Sequence, residues 1–193
     1  PADEETRKAY VRALAAEIRG KKEEYKEYRV STVFVGGGTP SILDGDDTAR
    51  IFASLYESFR IRDDAEITME VNPGTVTVEK LAAWKKAGIN RLSIGLQSAD
   101  DRELRLLGRI HTYKDFLETY EQARRAGFQN INIDLISAIP GQTLQSWETT
   151  LAKTADLEPQ HISAYSLIVE EGTPFYDRYG QKENEESSGL LKR

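Results

Sequence analysis

Cysteine is absent from all 193 residues, so no disulfide, thiolate nucleophile or thiolate-held metal can come from this chain. Long apolar runs are absent as well. None approaches the roughly 18–20 residues that a membrane-spanning helix needs, and no charged-then-apolar leader opens the chain, so the reading is no membrane span, no secretion and a cytoplasmic place. An excess of positive charge is also missing: 26 basic against 32 acidic residues leave a net charge of -6, which gives no general attraction to phosphate backbones and argues against a nucleic-acid partner. With 39% hydrophobic and 30% charged residues, and only 14 Gly and 6 Pro, the composition is that of one globular domain with a substantial core. The chain opens on Pro1 rather than Met and runs directly into a helix-like stretch, which reads as a piece of something longer.

What is present has a rhythm. Residues 5–28 carry Ala, Leu and Ile at helical spacing, and the charge run Lys21–Lys26 reads as a solvated face. A strand-like "STVFV" (31–35) leads through "GGGTPSILD" to a helix over about 46–59. "EITMEV" (66–71) leads through "NPGTVT" to a helix over 77–87, capped by Thr77 and closed by Gly88. "RLSIGL" (91–96) precedes a helix around Leu104–Leu107 and a second helix over 113–126. "NINIDLI" (130–136) precedes a helix over 144–156, and "HISAYSLI" (161–168) is the last strand. Five strands alternating with helices predict right-handed βαβ units and a parallel sheet.

Four of these strands carry polar residues on alternate positions. Asn130, Asn132 and Asp134 oppose Ile131, Ile133 and Leu135; Thr68, Glu70 and Asn72 oppose Ile67, Met69 and Val71; Ser93, Gly95 and Gln97 oppose Leu92, Ile94 and Leu96; His161, Ser163 and Tyr165 oppose Ile162 and Ala164. A doubly wound sheet buries both strand faces, so one polar face favours a barrel or half-barrel whose apolar face packs on outer helices. The interior is then either wet or a ligand site at the C-terminal rim. An unpaired carboxylate in a dry site costs several kcal/mol, so Glu70 and Asp134 should meet cations, donors or water. Gly36–Gly38 directly after a strand reads as a sharp bend or as a place where another molecule approaches the backbone. It is neither a P-loop nor a dinucleotide fingerprint.

"VFVGGGTPSIL", "EITMEVNPGTVT", "RLSIGLQSADDRELRLLGRIHT", "NINIDLISAIPGQT" and "ISAYSLIVEEGTPFY" together resemble the radical S-adenosylmethionine proteins grouped with oxygen-independent coproporphyrinogen III oxidase and the related haem chaperone. The resemblance covers about residues 5–180. It implies an α/β fold, the partial (β/α)6 TIM-like barrel of that family. The strands here would be its second to sixth, with the first strand and its cluster loop not in this chain. It divides the chain into a radical S-adenosylmethionine core over 1–180 and a polar tail, or the start of a C-terminal region, over 181–193. The resemblance implies S-adenosylmethionine as cofactor, its methionine part against Gly37, Gly38 and Thr39, a strand-end contact from Glu70, and further contacts from Gln97, Arg109, Asp134 and Ile168. Carboxylates suit an ammonium, sulfonium or ribose hydroxyl, and a guanidinium holds a carboxylate by paired hydrogen bonds. His111, beside Arg109, reads as a structural histidine.

The departure is the missing Cys-x-x-x-Cys-x-x-Cys motif, without which this chain supplies no thiolates for the family's [4Fe-4S] cluster and is expected to be inert alone. For the parent protein the resemblance implies either a haem chaperone, with haem and haem-acceptor proteins as partners, or oxidative decarboxylation of coproporphyrinogen III. "LLGRIHT" and "YSLIVEEGTPFY" lean to the chaperone branch. A flavin- or phosphate-binding barrel would need a phosphate turn after the late strands, for which "SLIVEEGTP" with its two glutamates is a poor fit.

Overall fold

The computed structural model describes residues 3–179; the polar tail expected over 181–193 lies outside them. The elements run α1 (Glu4–Gly20), β1 (Arg29–Val35), a 3-10 turn (Pro40–Ile42), α2 (Gly45–Ser58), β2 (Arg60–Val71), α3 (Val78–Lys86), β3 (Arg91–Gln97), α4 (Asp101–Leu106), α5 (Tyr113–Arg125), β4 (Asn130–Ser137), α6 (Leu144–Ala155), β5 (His161–Ser166) and α7 (Pro174–Tyr179). The strands form one parallel sheet in the order β1-β2-β3-β4-β5, a singly wound half-barrel. No helix among the described residues is long and apolar enough to cross a membrane.

Local chemistry explains the boundaries. Side chains of Asp3, Asp44, Thr77, Asp100, Thr112 and Thr143 accept backbone N–H bonds at the starts of α1 to α6 in turn, satisfying donors that have no partner within the helix. After α4 the turn closes by Gly108 N–H donating to Arg105 O (3.0 Å) and Arg109 N–H to Leu104 O (2.9 Å), with Gly108 at φ +71°. This left-handed stop reverses the chain at Gly108.

The structure corrects several boundaries. The first helix ends at Gly20 and not at 28, because Gly20 is followed by Lys21 and Lys22 in turns. β2 begins six residues earlier than expected, at Arg60, and pairs with β1 across a register shift between Val30 and Thr32. α7 was not anticipated.

Helices cover one face of the sheet. Ile67, Met69, Val71, Leu92, Ile94, Leu96, Ile131, Ile133 and Leu135 on that face join Phe52, Trp84, Phe116 and Phe128 in the core. The expected outer packing fails at β5, where Ile162 is 36% exposed and Ala164 is exposed. β5 is the edge strand of the sheet, and its outer side is open at these two residues.

Candidate functional site

Register places the inner-face residues in rows across the sheet. Phe34, Thr68, Arg91 and Asn130 form one row; Glu70, Ser93, Asn132 and His161 form the next; Gly95, Asp134 and Ser163 follow. These rows and the turns above them border an open cavity of about 760 Å³. Gly38, Thr39, Glu70, Gln97, Arg109, Asp134 and Ile168 all line it. Gly37 does not, but its N–H donates to Glu70 Oε2 at 3.0 Å, so all eight residues implied by the resemblance are brought to one place.

The glycine turn separates into two physical cases. A Cβ at Gly36 would stand 2.6 Å from the Phe34 ring and 2.9 Å from the Glu70 carboxyl group, whereas Gly37 and Gly38 have open space and φ of +82° and +59°. The close approach at Gly36 is thus by the protein's own Phe34 ring and Glu70 carboxyl group. Gly37 and Gly38 are required by backbone conformation. The turns after β1 and β2 are then bolted together: Asn72 Nδ2 donates to Thr39 Oγ1 (3.1 Å), Asn72 N–H to Ser41 Oγ (3.1 Å) and Thr75 Oγ1 to Ser41 Oγ (2.7 Å). Lys80 Nζ donates to Ser41 O (2.9 Å) and Thr75 O (3.0 Å). Burial pushes the Lys80 ammonium pKa down.

Gln97 is held in an unusual backbone state, φ +70°, at a register shift between Gly95 and Gln97. A Cβ at Gly95 would come within 2.6 Å of Gln97 Nε2, so the glycine makes room for the amide to fold back over the strand end. The buried Glu103 carboxylate ties this end of β3 to the loop after β4, accepting from Ser98 Oγ (2.6 Å) and Gln142 Nε2 (2.9 Å) and from Ser146 Oγ.

Asp134 accepts from Ser93 Oγ and Asn132 Nδ2, each at 2.7 Å. An ionised carboxylate accepts only, so the Asn132 amide must turn its Nδ2 to Asp134 and its Oδ1 to β5. There Oδ1 accepts from His161 Nδ1 (2.5 Å) and Ser163 Oγ (3.0 Å). Among the described residues no hydrogen bond or ion pair reaches the Arg109 guanidinium, and burial lowers its pKa. His111 is buried and donates Nε2–H to Leu96 O at 3.3 Å, the structural role expected of it.

Arg91, Phe34, Ile136 and Leu167 also line the cavity and were missed as site residues. Arg91 heads the alternation Arg91-Ser93-Gly95, so period two could have found it. Phe34 hides in "STVFV", an apolar run with no visible alternation.

A parallel half-barrel whose polar lining meets glycine-rich turns beyond the strand ends belongs to the class of α/β barrels that bind ligands at that rim. The family model of the radical SAM superfamily matches residues 3–153. The chain belongs to this superfamily. The haem chaperone HemW of Bacillus subtilis is 37% identical over 169 residues, 87% of this chain and 45% of that protein. Coproporphyrinogen III oxidase (HemN) of Escherichia coli, a radical SAM enzyme, superposes with a TM-score of 0.77 at 34% identity, over 83% of this chain and 37% of that one. The archaeal Elp3 of Methanocaldococcus infernus shares the fold, with a TM-score of 0.66 at 18% identity over 87% of this chain and 45% of that one. The chain spans less than half the length of these relatives.

Proposed function

We propose that the chain is the S-adenosylmethionine-binding core of a haem chaperone, acting in the cytoplasm, with haem as cargo and haem-acceptor proteins as partners. The convergence of Glu70, Gln97, Arg109 and Asp134 with the Gly38–Thr39 turn on one cavity carries this reading, and similarity to HemW supports its haem part. Two carboxylates and a guanidinium with no partner among the described residues suit the ligand's groups: an ammonium, a sulfonium, ribose hydroxyls and a carboxylate. Gly37 N–H orients Glu70, and Ser93 with Asn132 orients Asp134. Both carboxylates are held by these bonds ahead of any ligand, and such preorganisation favours affinity.

A [4Fe-4S] cluster does not fit the residues present. The sequence holds no cysteine, and no group of three His, Asp or Glu among the described residues is placed to hold a metal. This chain's contribution is binding and orientation. Coproporphyrinogen III oxidation is the second reading, favoured by the superposition on that oxidase.

Calorimetric titration with S-adenosylmethionine tests the site. Weak, saturable binding is expected for the native chain, and its loss in Glu70→Ala and Asp134→Ala. Equal affinity of both variants and the native chain would remove the assignment.

A further inference from the structure

The S-adenosylmethionine reading leaves one charged group of the cavity unused. Arg91, the first residue of β3, lines the cavity with a side chain only 15% exposed. Its guanidinium carries five N–H donors, yet among the described residues it makes one hydrogen bond, from an Nη to Thr68 Oγ1 at 3.3 Å. Glu66 lies 3.8 Å from Nε, an ion-pair distance too long for a hydrogen bond, and it also receives Asn130 Nδ2 at 3.4 Å. The two carboxylates that line the cavity are engaged elsewhere, Glu70 with Gly37 N–H and Asp134 with Ser93 and Asn132. A largely desolvated cation with most of its donors unspent is costly unless a ligand or water takes them.

One strand beyond Thr68 the same row carries an aromatic ring. Phe34 and Arg91 flank Thr68 in one register row, and Phe34 lines the cavity while 60% exposed. An exposed ring one strand removed from a guanidinium fork matches a ligand with a broad, flat apolar body and a carboxylate arm: the fork takes the carboxylate by two parallel hydrogen bonds, and the ring covers the body. Ile136 and Tyr165, paired in register on β4 and β5, line the same cavity.

We propose that Arg91 and Phe34 form a second subsite of the cavity, its charged anchor distinct from the residues assigned to S-adenosylmethionine, which binds a planar, apolar ligand through its carboxylate. Resting on the haem reading, this assigns a propionate arm of the tetrapyrrole to Arg91.

The test compares haemin with haemin dimethyl ester, which lacks the carboxylates, by titration on the native chain, Arg91→Gln and Arg91→Lys, followed by the Soret band, with S-adenosylmethionine titrated in parallel. Native chain should bind haemin at least tenfold more tightly than the ester. Arg91→Gln should lose about ten- to hundredfold for haemin, the worth of a charge-assisted pair, and leave the ester and S-adenosylmethionine unchanged. Arg91→Lys should recover part of the loss. Equal binding of acid and ester by the native chain overturns the Arg91 subsite while the haem reading stands; binding of neither overturns both. Should Arg91→Gln fail to fold, the acid-to-ester ratio of the native chain and its fall in Arg91→Lys decide the matter.

Discussion

The two faces of the sheet are built from the same strands and obey different physics. On the outer face Leu92, Ile94, Leu96, Ile131, Ile133 and Leu135 are each 0% exposed, and their stabilisation is non-directional, set by area and fit. One residue along each strand, Ser93, Asn132 and Asp134 are tied by hydrogen bonds of 2.7 Å, where orientation and identity decide everything. The outer face holds the fold, and the inner face holds groups in place for something else. Substitutions on the first should therefore move stability, and those on the second should move ligand affinity.

The largest effect expected is on the outer layer. Trp84 of α3 is 0% exposed and belongs to the same core cluster as Ile67, Met69, Leu92 and Ile94. Trp84→Ala should cost about 3–5 kcal/mol in denaturant unfolding, with ligand affinity of the folded fraction unchanged. A loss below about 1 kcal/mol would show that the outer layer is not what stabilises the sheet.

Gly36→Ala attacks the junction of the two faces. Its Cβ meets the Phe34 ring at 2.6 Å and the Glu70 carboxyl at 2.9 Å, so both must move, at a cost of about 1–3 kcal/mol and with loss of S-adenosylmethionine binding. Gly37→Ala has open space at φ +82° and should cost about 1–2 kcal/mol through conformation alone. If Gly36→Ala binds as the native chain does, Glu70 is not held where the turn puts it. Asn132→Ala removes donors to Ser93 and Asp134 and the acceptor of His161 and Ser163. It should cost about 1–3 kcal/mol and weaken binding as well. A change in stability with binding intact would make the network purely structural.

Much of this was legible in the sequence because both signals are periodic. Alternation along β2, β3 and β4 shows the two faces directly, and glycines after helices mark the turns. The resemblance named Arg109, and the left-handed stop at Gly108 accounts for its return toward the cavity. What stayed hidden was relational. No pattern shows that Gly36 yields to Glu70, that Glu103 joins the loops after β3 and β4, or that Asn132 must point its carbonyl at His161, since each depends on residues 29 to 43 positions apart meeting in space. The exposed outer side of β5 was also unreadable, because an edge strand and a covered one share the same alternation.

The smallest effect expected lies where the two faces touch, at His111, which anchors to Leu96 O beside the Arg109 turn. Burial lowers its pKa below the ordinary value; the bond to Leu96 O and the carboxylates of Asp115 and Asp101 oppose this, and Arg109 adds to the lowering. An unfolded histidine titrates near about 6.5. Below that pH the unfolded chain takes up a proton that the folded chain resists, so the stabilisation is complete above about pH 6.5 and is lost as pH falls through the folded value. His111→Gln keeps a donor for Leu96 O without titrating. Unfolding midpoints measured from pH 7.5 to 5 should therefore show the native chain losing stability relative to His111→Gln as the pH falls. A constant difference across that window would mean that His111 is hydrated rather than buried, and that the seam between the two faces is open to water.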